Sequence, residues 1–96
     1  MYAKINLSKN IIRQRVPPLY EDDVMKFLRT YGDVKILSKK RKTTGSHSRI
    51  EFTPYGDEPR RFTVAGHNNK PISQKSLNDI IKKSGIPEEK WRNFRY

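Results

Sequence analysis

The apolar residues of this chain change their spacing at Gly32, and that change limits what the chain can fold into. Upstream, Tyr20, Val24, Phe27, Leu28 and Tyr31 fall at i, i+4, i+7, i+8 and i+11, a continuous stripe at 3.6 residues per turn. Downstream the period is two. Ser48, Ile50 and Phe52 share one face of a run whose other face carries His47, Arg49 and Glu51, and Phe62 and Val64 alternate with Arg61 and Thr63 in the same way. The spacing predicts a helix over Tyr20–Tyr31, then strands over Val34 to about Lys42, Ser46–Thr53 and Arg60–Ala65.

The punctuation agrees with this reading. Glu21, Asp22 and Asp23 lie in the first helical turn, where the dipole favours negative charge. Gly32 is placed to take a left-handed position after the last turn. Thr44-Gly45 offers a tight reversal between the first two strands, and Pro54–Pro59, centred on Gly56-Asp57, is turn material. Ser73 can cap a second helix running to Ser84, with Ile72 and Leu77 as a hydrophobic staple and Gly85 as its stop. Leu77, Ile80 and Ile81 form its apolar face. Pro87 opens a last short turn or helix through Phe94, whose Trp91 and Phe94 are expected to pack back onto the domain. The order is helix, three strands, helix: an α+β domain with a three-stranded antiparallel meander covered on one face by helices. Residues 1–18 are harder to read. Ile5, Leu7, Ile11, Ile12 and Val16 follow no period before Pro17-Pro18, and this segment is expected to be an arm packed on a single domain spanning 19–96.

A chain of 96 residues supports one domain with a small core, so a site is expected on the surface. The absence of cysteine removes disulfides, thiolate metal sites and cysteine nucleophiles. Twenty-one Lys and Arg against ten Asp and Glu leave a net charge of +11, which attracts polyanions, nucleic acid being the commonest. No apolar run is long enough for a membrane helix, no segment suits membrane-surface binding, and the N-terminus is too polar for a signal peptide. The protein is expected to be soluble and intracellular.

The chemistry centres on His47, which follows Gly45-Ser46 and the basic run Lys39, Lys40, Arg41 and Lys42. Cationic neighbours disfavour the imidazolium and leave a neutral ring able to accept a proton. RNA suits that arrangement. Its 2′-hydroxyl is an internal nucleophile, so a general base plus cations to steady the phosphorane can suffice without a metal. Metal ligands are scarce in any case, with two histidines and no paired-carboxylate motif. Glu51 shares the face of His47 but lies roughly 13 Å along the strand, and reads as a charge partner for a neighbouring Lys or Arg. Arg49 and Arg61 extend the basic strip as phosphate contacts, together with Ser46. His67, after Gly66, reads as a turn-fixing residue or a second acid.

These residues in this order resemble HicA toxins. The resemblance is carried by Gly45-Ser46-His47 followed by Ile50 and Phe52, by Val64-Ala65-Gly66-His67-Asn68-Asn69-Lys70-Pro71-Ile72, and by Ser76-Leu77-Asn78-Asp79-Ile80-Ile81-Lys82-Lys83-Ser84-Gly85-Ile86. It spans about Tyr20 to Phe94. It implies a double-stranded-RNA-binding-domain-like α-β-β-β-α fold and a small endoribonuclease that cleaves mRNA without a cofactor. It also implies a HicB-like antitoxin covering the active face, in a bacterial or archaeal cytoplasm. The catalytic role falls on His47, with Arg49 and Lys42 holding phosphate and His67 and Lys70 as accessories. Three positions depart from the family pattern: Ser48 stands where many relatives have a second histidine, Ala65 where a proline is usual, and Gly66 where a basic residue is usual. The rival reading is a non-catalytic RNA-binding module. Duplex-RNA-binding domains cluster lysines at the start of the second helix, whereas here that turn has only Lys75 and the Lys82-Lys83 pair lies at the far end.

Overall fold

The computed structural model describes residues 16–42, 45–67 and 70–96. Its elements are α1 (Glu21–Tyr31), β1 (Gly32–Lys42), β2 (Gly45–Pro54), β3 (Arg60–His67), α2 (Gln74–Ser84) and α3 (Glu88–Asn93). The strands form one antiparallel sheet in the order β1-β2-β3, with β2 in the centre. This is the expected α-β-β-β-α arrangement with one short helix added. Thr44 of the expected Thr44-Gly45 reversal and residues 1–15 of the expected N-terminal arm lie outside the described residues, as do Thr43, Asn68 and Asn69.

The sheet separates its two faces as the alternation requires. Ser48, Ile50, Phe52, Phe62 and Val64 are buried, while His47, Arg49, Arg61 and Thr63 are exposed. The buried face meets Val24, Phe27 and Leu28 of α1 and Leu77, Ile80 and Ile81 of α2 in a single core. Val16 and Leu19 belong to that core as well, and the Leu19 carbonyl accepts a hydrogen bond from Ile72 N–H at 2.7 Å. The chain is therefore already docked onto the domain at Val16, three residues before the expected start at residue 19. No helix among the described residues is long and apolar enough to cross a membrane.

Two local expectations need correction. Gly32 is not left-handed: its φ of 174° and ψ of −165° are extended, and β1 starts there without a break. Glycine is needed for a different reason. A Cβ would run into the Thr53 carbonyl and sit 2.7 Å from the Pro54 Cα, so the residue lets two backbones approach. Tyr20 leaves the apolar stripe because it is the N-cap, 46% exposed, and Met25 is buried instead. The Tyr20 N–H donates to Asp23 Oδ2 at 2.9 Å, a first-turn carboxylate satisfying a free helix donor. The ends of α2 follow expectation. The Ser73 hydroxyl accepts from Ser76 N–H at 3.3 Å, and Gly85 takes the left-handed conformation at φ 76°.

The C-terminus closes the core. Trp91 is fully buried and stacks on Phe27 with ring centroids 3.7 Å apart, while Phe94 meets the same phenylalanine edge-on. The Tyr96 hydroxyl donates to the Trp91 carbonyl at 2.8 Å. Burial, with Asp23 and Tyr31 nearby, pushes the Tyr96 phenol well above its ordinary value of 10.0. A folded-state pKa that is raised gives stability fully present below the unfolded value and lost as pH rises past it. We therefore expect flat stability through neutral pH and a decline above about pH 10. In urea titrations, Tyr96→Phe should flatten that decline; an unchanged alkaline slope would show that Tyr96 is not its source.

Candidate functional site

Among the described residues no helix lies on the outer face of the sheet, and the candidate residues stand on it in the register of the strands. His47, third residue of β2, pairs with Lys40 on β1 and with Ala65 on β3. Directly opposed residues share a face with Cβ atoms about 4.5–5.5 Å apart, so Lys40 is the nearest cationic neighbour across the ladder. Arg49 is two residues along β2 on the same face, about 7 Å away. It pairs with Ser38 and Thr63, and its guanidinium leans on the Thr63 hydroxyl at 3.4 Å.

Lys40 reaches this face because of an irregularity. Val34 and Ile36 oppose the inward Phe52 and Ile50, but Ser38, not Leu37, opposes Arg49. Leu37 is one extra residue, a bulge that reverses the facing of everything after it. Counting straight alternation from Val34 would put Lys40 on the helix side. The same shift splits the basic run. Lys39 opposes Ser48 and Arg41 opposes Ser46, both on the helix side, whereas Lys40 opposes His47. Lys42 pairs with Gly45. The basic run expected to form one strip is thus split, with Lys39 and Arg41 on one face and Lys40 on the other.

Other predicted residues separate further. Arg61 is paired with Glu51 across the ladder, Nε to Oε2 at 3.0 Å, which bears out the reading of Glu51 as a charge partner and engages Arg61 internally. Ser46 points away from the His47 face and donates to Glu21 Oε1 at 3.0 Å. Lys70 is exposed beyond β3. The backbone of His67 pairs with Gly45; its side chain lies outside the described residues.

Beside His47 the surface drops into a groove of about 690 Å³, lined by His47, Thr63 and Ala65 on the sheet and by Lys75, Ser76, Asn78, Asp79 and Lys82 on α2. The small Ala65, paired with His47, lines it, and α2 packs against the edge strand β3. Lys75 and Lys82 therefore flank a path leading from the imidazole, a role that their place on the linear sequence did not reveal. Asp79 is held by Lys83 at 3.0 Å, four residues on. Among the described residues no group of three His, Cys, Asp or Glu is placed to hold a metal ion, and nothing hydrogen-bonds to the His47 imidazole.

An exposed imidazole, cations across the ladder and along the strand, and an adjoining open groove can bind a phosphodiester and accept a proton from a neighbouring hydroxyl. No family model matches the chain, and comparison with curated proteins and with solved structures returns no match either.

Proposed function

We propose that this protein is a metal-independent endoribonuclease acting on mRNA, a toxin of the HicA kind. The observation that carries the reading is the position of His47: exposed on the outer sheet face, opposite Lys40, beside Arg49 and at the head of a groove. His47 accepts the proton of the 2′-hydroxyl, and that oxygen attacks the adjacent phosphorus. The bond to the 5′-oxygen breaks, and the leaving oxygen takes a proton from solvent. Lys40 and Arg49 contact the non-bridging oxygens, whose charge grows in the transition state. The products are a 2′,3′-cyclic phosphate and a 5′-hydroxyl. A HicB-like antitoxin covering this basic face, in a bacterial or archaeal cytoplasm, completes the proposal.

Labelled RNA incubated with the protein in EDTA tests it. Fragments should end in cyclic phosphate, and a single 2′-deoxy substitution at a cleavage site should block cutting there. Cleavage that survives the deoxy substitution would reject the mechanism. That no described residue hydrogen-bonds to the imidazole favours a second reading, a module that binds RNA without cutting it; binding without fragments would establish that one.

Both readings predict phosphate contacts. Lys40→Ala and Arg49→Ala should each weaken RNA binding and reduce the slope of log K against log salt by about 0.7, the value for one phosphate on a single strand. Fluorescence anisotropy over a salt series measures this. An unchanged slope would remove that residue from the interface.

A further inference from the structure

We propose that Glu21 is a positioning residue for His47. Its carboxylate grips the side chains on both sides of the histidine and so fixes the direction in which the imidazole leaves the sheet. The inference rests on the ribonuclease reading for its effect on rate, but the clamp itself is a property of the fold.

Ser46 and Ser48 are the residues immediately before and after His47. The pleat turns both toward the helices, while His47 points the other way. The Ser48 hydroxyl donates to Glu21 Oε2 at 2.6 Å, and the Ser46 hydroxyl donates to Oε1 at 3.0 Å. One carboxylate thus uses both oxygens to hold two hydroxyls that straddle a single residue. Bonds to an ionised acceptor are short and strong, and Ser48 is fully buried, where no solvent competes. Lys39 Nζ lies 4.0 Å from Oε2 and adds positive charge. Fixing the positions on either side of His47 fixes the Cα–Cβ direction of the histidine.

The clamp ties the segment to a rigid body. Glu21 begins α1, whose Val24, Phe27 and Leu28 are in the core. His47 lies near the start of β2, where little sheet precedes it.

Gly66 gives independent evidence of fit. It pairs with Ser46 on the helix-side face, and a Cβ there would stand 2.8 Å from Glu21 Oε1 and 3.3 Å from the Ser46 hydroxyl. The carboxylate occupies the space that any other residue would fill. Gly66→Ala should therefore displace Glu21 and reproduce the loss of the clamp without altering Glu21, Ser46 or Ser48.

The test compares wild type with Glu21→Gln, which keeps size but presents an amide donor to one serine, and with Gly66→Ala. Single-turnover cleavage at saturating RNA should fall about 10- to 100-fold, the scale of a small misplacement of a catalytic group. Affinity for an RNA carrying a 2′-deoxy cleavage site should stay within about twofold, because the phosphate contacts are untouched. Amide exchange at His47 should accelerate while that at Phe62 does not. If Glu21→Gln does not fold, Ser46→Ala removes one of the two bonds and is read in the same way. An unchanged rate, or rate and affinity falling together, would overturn the proposal. If the wild type does not cleave RNA, the ribonuclease reading fails separately; unchanged exchange at His47 in Glu21→Gln would then overturn the clamp, and accelerated exchange would uphold it.

Discussion

Replacing His47 by alanine is expected to reduce RNA cleavage in EDTA by about 10²- to 10⁴-fold, the usual contribution of a positioned general base, while leaving the fold intact. The first half follows from the chemistry. Without a base, the 2′-hydroxyl must lose its proton to water, although Lys40 and Arg49 still contact the phosphate. The second half follows from the structure. His47 is exposed, contributes nothing to the core and occupies a strand position that alanine accepts. Thermal unfolding should therefore move little, since surface substitutions away from special features are usually within about 0.5 kcal/mol. RNA affinity should also persist. In cells, induced wild-type protein should arrest growth and His47→Ala should not. A folded His47→Ala protein that cleaves as fast as wild type would sink the assignment of His47, whatever else the protein does.

What could be read in the sequence, and what could not, divides along a physical line. Period and punctuation are local properties, so the elements could be placed from residues a few positions apart: the α1 stripe, the alternation of Ser48, Ile50 and Phe52, the Ser73 cap and the Gly85 stop. Register is a property of two strands together. Nothing in the linear run at Leu37 announces the bulge, yet the bulge decides that Lys40, and not Lys39, stands opposite His47. The same limit hid the groove. Lys75 and Lys82 read as lysines at two ends of a helix until the packing of α2 beside β3 put both along one wall.

Glu21 shows the limit most clearly. In the sequence it is a first-turn acid that suits the helix dipole, and that reading is complete in itself. Its partners Ser46 and Ser48 lie 25 and 27 positions away, and only the fold brings them together. Ser48 and Gly66 meet at this carboxylate. A residue with a second ring at position 48, or a side chain at position 66, would leave no place for it.

The largest stability effect is expected at Trp91. Trp91→Ala should destabilise the protein by about 3–5 kcal/mol, the range for removing a large aromatic from a core. Against a typical total of about 5–15 kcal/mol, that is a large share. The side chain is fully buried and stacked on Phe27, itself fully buried, and Phe94 and Tyr96 assemble around the same ring. The helix that carries it has six residues, too few to persist without packing. Losing the indole therefore releases α3 and uncovers Phe27 in α1, the helix that also begins with Glu21. Trp91→Phe isolates the cause. The indole Nε1 is buried with no hydrogen-bond partner among the described residues, and an unmade bond of that kind costs about 1–3 kcal/mol. Phenylalanine removes the unpaired donor while keeping a ring against Phe27, so its net cost should be much smaller than that of alanine. Urea unfolding followed by circular dichroism measures both variants. Equal losses for alanine and phenylalanine would mean that the indole N–H is satisfied in solution and that stacking alone does not hold α3 in place.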